Sequence, residues 1–406
     1  MKADRLISLD AFRGFTIASM LLVNNPGDWS NLYPQLAHAA WNGWTFTDWI
    51  FPFFLFISGV SMSLSMATKS GGLERTSSEK LALLISLAKR ASIIFLIGLC
   101  LNFIPLFQIE TVRILGVLQR IAICTVLAAP LVIYFTWRQQ IIWIVGILLV
   151  YTTIMLRLPV PDVTGVVTAG ALEPGRDVGA YIDRLLLSGH LWAKVKTWDP
   201  EGLFTTLPAL CSQLFGVLTG RWLLSDGRSN NIGGDPSQNR IVNANQQAGK
   251  TVWMLLAGLA MLWLGVILES LVMPINKSLW STSYCVFMTG WALLLFGAFY
   301  WLMDACGNAT MKAQFRRLMQ PLTIYGLNAL FIFAMSGLVA KLIGFFKVSI
   351  ANLGDTPVSI KTALFAPLKA LPILPVNSSL LFAILFNMCF FVLAWFMWKK
   401  RWFIKV

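Results

Sequence analysis

Residues 35–61 read Q-L-A-H-A-A-W-N-G-W-T-F-T-D-W-I-F-P-F-F-L-F-I-S-G-V-S. They pass from a polar, aromatic-rich loop into an apolar segment long enough to enter a bilayer as a helix. His38, one of two histidines in the chain, stands just before that segment, and Trp41, Asn42, Thr45, Thr47 and Asp48 lie within ten residues of it. Polar side chains at a membrane mouth are costly unless they have a task or a partner. The stretch therefore reads as a functional mouth, and the remainder of the chain as its scaffold.

The rest of the sequence agrees with a membrane setting. Of 406 residues, 57% are hydrophobic and 12% charged, where a soluble domain carries about 25% charged residues. Mean hydropathy is +0.70. Apolar runs recur at about 6–24, 44–67, 81–104, 113–136, 140–157, 203–224, 251–272, 280–302, 321–345 and 378–398. The expected fold is all-α, a polytopic integral membrane protein with about ten transmembrane helices in a single bundle, each about 20 residues long.

An even number of spans puts both termini on one side. Lys2, Arg5, Lys69, Arg75, Arg138, Arg228, Arg240, the 303–320 loop and the tail from Lys399 to Lys405 share that side, which the positive-inside rule makes cytoplasmic. His38 then faces outward. The net charge of +14 is read as this orienting charge, so no nucleic-acid partner is expected. Six cysteines without a C-x-x-C pair support neither a disulfide framework nor a metal site. The opening M-K-A-D-R-L leads into a segment read as a retained helix rather than a cleaved signal.

Two connections are long. Residues 158–202 form an extracytoplasmic loop with several prolines, acidic residues, Trp192 and Trp198, read as an ordered lid or partly inserted hairpin. Residues 225–249 read as a flexible cytoplasmic linker. The 346–377 segment is external and interrupted by prolines. No internal repeat is visible, which disfavours inverted-repeat transporters, and 1–406 is taken as one transmembrane domain.

Several residues are candidates for chemistry. His38 suits acid–base or nucleophilic work near neutrality. Asp48, at the edge of lipid depth, needs a partner, and an Asp–His pair fixes the imidazole tautomer; Gly43 between them permits a fold-back. Pro52 should kink the helix that follows. Asn24 and Asn25 end the first helix before Pro26-Gly27, as helix termination or as a contact in the His38 cavity. Asp10 and Arg13, one turn apart, can pair or meet an anionic ligand at the inner mouth. Arg113 and Arg120 share a helix face, Arg113 snorkelling at the outer interface and Arg120 facing the interior or a phosphate or carboxylate. His190 reads as a surface residue.

The strings L-D-A-F-R-G, H-A-A-W-N-G-W-T-F-T-D-W-I-F-P-F-F-L-F-I-S-G-V-S, R-I-L-G-V-L-Q-R-I-A, D-P-E-G-L-F-T-T-L-P-A, N-K-S-L-W-S-T-S-Y and Y-G-L-N-A-L resemble the heparan-α-glucosaminide N-acetyltransferase family, in its bacterial form associated with N-acetylglucosamine utilisation. The resemblance implies a membrane-embedded acetyltransferase of the bacterial inner membrane. It would use acetyl-CoA from the cytoplasm as co-substrate, without a metal, to acetylate a glucosamine amine on the other side. It assigns the active-site histidine to His38, an asparagine to Asn24 with Asn25 as rival, and an aspartate to Asp48. Asp10, Arg13, Trp41, Asn42, Arg120 and Asp199 are carried as candidate substrate- or CoA-binding residues. The animal members' large luminal domain has no counterpart ahead of these strings, so a small amino sugar or envelope glycan is the expected acceptor. Membrane lipid is the expected surrounding, and a homodimer the expected assembly to test. An amino-sugar permease and an enzyme acting on a lipid-linked glycan are the alternatives.

Overall fold

The computed structural model describes residues 6–69, 76–225, 236–349 and 356–404, without the side chains of 67–69 and 236–244. Lys2, Arg5, Arg75, Arg228 and Lys405, used above for orientation, lie outside the described residues, as do the side chains of Lys69 and Arg240. Among the described residues the chain is mostly helical, with almost no sheet. Its helices are α1 (Ile7–Asn24), α2 (Phe46–Lys69), α3 (Ser77–Phe103), α4 (Val117–Tyr134), α5 (Trp137–Arg157), α6 (Val178–Leu187), α7 (Thr206–Leu224), α8 (Pro236–Leu271), α9 (Thr282–Tyr300), α10 (Ala309–Leu318), α11 (Gln320–Leu327), α12 (Ala329–Phe345), α13 (Ile360–Lys369) and α14 (Pro375–Lys399).

Every run marked apolar in the sequence is helical, yet the expected ten spans are not all equal. Among the described residues, seven helices are long and apolar enough to cross a membrane, or eight if α11 and α12, bent by 80° at Asn328, count as one broken span. The two that fall short are α1 and α7. They carry Asp10 and Arg13, and Gln213 and Arg221, and lie largely buried against other helices. Polarity inside a bundle is tolerated where neighbouring helices satisfy it. The chain is thus a multi-pass helical membrane protein.

Close helix approaches hold the centre together. A Cβ at Gly59 would fall 1.9 Å from Gln213 O, and one at Gly216 2.0 Å from Phe56 O, so α2 and α7 meet backbone to backbone. Membrane helices associate closely where small residues permit it. The same holds between α1 and α11, where a Cβ at Gly14 would lie 1.7 Å from Leu322 O and one at Gly326 1.8 Å from Asp10 O. Buried Phe51, Leu55, Cys124, Leu210, Leu214, Trp280 and Tyr284 form the core between α2, α4, α7 and α9.

Each of the long connections carries regular structure. Residues 158–202 are folded: Val160–Pro161 and Val167–Thr168 make a two-stranded antiparallel pair, α6 follows, and Val160 and Val178 pack with Tyr151, Met155 and Leu279. The stretch read as a linker is helical from Pro236 on, as the start of α8, while 226–235 lie outside the described residues. In 346–377, a second strand pair, Lys347–Val348 with Val358–Ser359, precedes α13, and 350–355 are not described.

Candidate active site

The loop between α1 and α2 folds back on the first turn of α2. Gly43 turns it with φ +95°, a conformation favoured by glycine. The fold-back places His38 Nδ1 2.7 Å from Asp48 Oδ1. Asp48 Oδ2 accepts the backbone N–H groups of Ala39 and Thr45, each at 3.1 Å. Thr45 Oγ1 stands 2.6 Å from Ala37 O and 3.1 Å from Asp48 Oδ2. From the core side, Tyr284 Oη donates to Asp48 O at 2.6 Å. The carboxylate is buried, 1% exposed, while the imidazole is 49% exposed. This is a carboxylate locked in place beneath a half-exposed imidazole.

A third group completes the cluster from far along the chain. Lys277 Nζ lies 3.1 Å from His38 Nδ1, 3.3 Å from Nε2 and 3.6 Å from Asp48 Oδ1. Lys277 sits in the tight loop joining α8 to α9, where Asn276 Oδ1 accepts Leu279 N, Ser281 Oγ accepts Asn276 N, and Ser281 N donates to Asn276 O. Two bonds fasten that loop to the histidine loop: Gly43 N to Ile275 O at 2.8 Å, and Asn276 Nδ2 to Asn42 Oδ1 at 3.0 Å. Sequence reading did not single out Lys277 as a candidate. The signal that marked it was its place in N-K-S-L-W-S-T-S-Y.

The other candidates divide between two ends. Trp41 donates from Nε1 to Leu172 O at 2.8 Å and packs edge-on against Trp198, ring centroids 5.2 Å apart; this ties the mouth to the 158–202 loop. Asn24 is exposed at the end of α1, and no described hydrogen bond joins it to His38 or Asp48, while Asn25 is buried and donates to Leu21 O at 2.8 Å as a helix-end bond. Arg113 grips Asp199 through two bonds, at 2.8 and 2.5 Å, and also binds Glu201. Burial works against the Glu201 carboxylate, but Arg113, Arg120 and Lys277 outweigh it and hold its pKa below the usual range. Arg120 is fully buried, donates to Gly202 O at 3.0 Å and Thr205 Oγ1 at 2.5 Å, and lies over the rings of Trp280 and Phe51. Phe51 is one turn beyond Asp48, so Arg120 and Asp199 belong to the His38 end. His190 is not free on the surface; its Nδ1 is 2.8 Å from Val112 O.

Asp10 and Arg13 occupy the opposite end. They pair at 3.1 Å, and Arg13 donates to Ser61 Oγ at 2.7 Å and Gly326 O at 3.4 Å. Ser61 and Asp48 are separated along α2 by ~20 Å, from the 1.5 Å rise per residue. Between them lie Ser58, Gln213 and Thr125, with Gln213 Nε2 donating to the two hydroxyls at 3.1 and 3.3 Å. A groove of about 900 Å³ between α5, α7, α8 and α9 is lined by apolar side chains such as Leu148, Met261 and Val286 and takes in none of these candidates. Among the described residues no cluster of three or more His, Cys, Asp or Glu is arranged to hold a metal ion.

Fold and site together define a multi-pass membrane protein with a histidine–carboxylate site at one end of its helices. The family model described as "Heparan-alpha-glucosaminide N-acetyltransferase, catalytic" matches residues 5–254. The chain belongs to that family. It is 30% identical over 372 residues to the heparan-alpha-glucosaminide N-acetyltransferase of Homo sapiens, covering 79% of this chain and 52% of the human protein. To the Mus musculus protein of the same name it is 29% identical over 377 residues, covering 80% and 53%. The chain spans about half the length of the curated relatives it matches. His38 and Asp48 fall inside the family match; Lys277 lies beyond it.

Proposed function

We propose that this protein is a transmembrane N-acetyltransferase, moving the acetyl group of cytoplasmic acetyl-CoA to the amine of a glucosamine-type sugar on the outer side of a bacterial inner membrane. The observation that carries the reading is the exposed imidazole of His38, 2.7 Å from the buried Asp48 carboxylate. That arrangement leaves the imidazole half exposed and gives Nδ1–H a fixed acceptor. The human and mouse relatives, both heparan-alpha-glucosaminide N-acetyltransferases, suggest the reaction class and the glucosamine acceptor.

In this reading Asp48 orients His38, and His38 acts as base toward the sugar ammonium or as nucleophile toward the thioester. Trp41 and Asn42 rim the opening and would face the sugar, with Asn24 as a further contact for sugar or thioester oxygen. Arg113, Asp199 and Arg120 stand on the acceptor side, which leaves Arg13 and Asp10, at the other end, as candidates for CoA. Polar side chains at membrane depth are rare unless they serve a path or one another; Ser58, Ser61, Gln213 and Thr125 between the two ends support a route for the acyl group.

The test is acetyl transfer from acetyl-CoA to glucosamine by the purified protein in liposomes. Replacing His38 with Ala should abolish transfer while leaving the folded protein intact. Undiminished turnover removes His38 from the mechanism. Sugar accumulation in liposomes lacking acetyl-CoA would replace the enzyme by a permease.

A further inference from the structure

Lys277 holds a position in this site that the acetyl-transfer reading leaves unused. Its Nζ is nearly equidistant from the two ring nitrogens of His38, at 3.1 and 3.3 Å. A donor on the lone-pair axis of one nitrogen would lie well out of reach of the other, so Nζ stands over the ring. Nδ1 is engaged with Asp48 Oδ1 at 2.7 Å. An ammonium carries three N–H donors, and Asp48 Oδ1, 3.6 Å away, is the carboxylate oxygen facing it. The ammonium therefore has N–H groups beside Nε2, where a reacting carbonyl must come. Its backbone is held by the bonds of the α8–α9 loop and by the two fastenings to Asn42 and Gly43 described above.

We propose that Lys277 is a catalytic residue that donates an N–H to the thioester carbonyl oxygen as that oxygen becomes an oxyanion. The proposal rests on the acetyl-transfer reading and holds for either route. In direct transfer, His38 Nε2 takes a proton from the sugar ammonium, and the freed nitrogen bonds to the carbonyl carbon. The C=O π pair moves onto the oxygen beside Lys277. The pair then returns, the C–S bond breaks, and the nitrogen's surplus proton leaves with the sulfur as CoA thiol. His38 passes its proton to water. In the two-step route Nε2 itself bonds to the carbon and the thiolate leaves, taking the proton shed by the sugar ammonium. The amine then attacks the acetyl-imidazolium, the C–Nε2 bond breaks, and the released Nε2 accepts the nitrogen's surplus proton, leaving the amide N–H, and passes it to water. The same oxygen carries the charge in each attack, and a donor fixed beforehand at that place needs no reorganisation.

The role requires a charged lysine. Burial pulls the Lys277 pKa below the usual lysine range; Asp48 and Glu201 act against that, and Arg120 adds to it. Those groups and His38 are the titratable and charged side chains facing it from α2, the loop before α7, α4 and the histidine loop. Activity should therefore fall on the alkaline side as Lys277 loses its proton. Arginine stays charged throughout and should remove that fall.

The experiment measures kcat and KM for acetyl-CoA and glucosamine from neutral to alkaline pH for wild type, Lys277→Met and Lys277→Arg. Lys277→Met should lower kcat by roughly 100- to 1000-fold, the loss seen when one oxyanion donor is removed, with KM little changed. Lys277→Arg should keep a substantial part of kcat and lose the alkaline fall. A Lys277→Met kcat within about tenfold of wild type, or an alkaline fall that Lys277→Arg leaves in place, overturns the proposal. If Lys277→Met does not fold, the Lys277→Arg profile decides. A wild-type protein that transfers no acetyl group overturns the acetyl-transfer reading, and the role of Lys277 with it.

Discussion

Replacing Asp48 with Asn separates the charge of this residue from its shape. Two backbone N–H groups, Ala39 and Thr45, point at Oδ2, while His38 Nδ1 and Lys277 face Oδ1. An asparagine has one oxygen to offer. Turning its NH2 toward the two amides would set donors against donors and lose both bonds, each worth about 1 kcal/mol net and more when a buried donor is left unpaired. The oxygen therefore stays on the Oδ2 side, and the NH2 faces His38. Nδ1 must then accept, which moves the ring proton to Nε2 and removes the lone pair the reaction needs. A wrong-tautomer change of this kind costs about 10⁴ in kcat in a serine-protease triad, and a loss on the order of 10³ to 10⁴ is expected here. Stability should fall by only about 1–3 kcal/mol, whereas Asp48→Ala, which strands both amides and the lysine, should cost about 3–5 kcal/mol. Acetyl transfer to glucosamine and thermal unfolding, measured on the same samples, read the two quantities. An Asp48→Asn kcat within about tenfold of wild type, a barrier change under ~1.4 kcal/mol, refutes the tautomer argument.

Two further predictions address the scaffold. Burial pushes the Asp183 carboxyl up to about 7, with Asp199 adding to it against the bond from Leu203 N. Because its pKa is higher folded than unfolded, the fold keeps its full stability at acid pH and loses part of it as pH rises from about 4 through about 7. Asp183→Asn, whose oxygen can still accept Leu203 N, should unfold at a higher temperature than wild type above that range, by up to about 4 kcal/mol. The two proteins should be alike below it, and equal stability at alkaline pH would contradict the burial argument. Gly326→Ala puts a methyl 1.8 Å from Asp10 O and forces α1 from α11; a loss of about 1–3 kcal/mol or more is expected. An unchanged unfolding temperature would show that this helix crossing is not tight.

Much of the site was legible because it is local. His38 and Asp48 are ten residues apart, with a glycine turn between them and a helix start at the second, so spacing and chemistry together suggested the pair. The Asp10–Arg13 pair was legible for the same reason, one helical turn. Lys277 was not. It reaches His38 across 239 positions, and a lysine in a loop between helices looks like any other. Arg120 carried a helix-face signal but not a depth: Gly202 and Thr205, from the chain ahead of α7, and the rings of Phe51 and Trp280 tie it to the His38 end.

By itself the sequence determined the class: hydrophobic runs of bilayer length and a deficit of charge leave helices as the structure that satisfies every backbone group in lipid. It also marked the histidine mouth, since chemistry-bearing residues clustered within a few positions. Which helices are lodged in the middle, where α11 breaks from α12, and which loop brings the lysine to the imidazole were decided by tertiary structure. Helices apolar on every face carry no pattern naming their neighbours. Contacts such as Gly59 on Gln213 or Lys277 on His38 exist only once distant segments have packed.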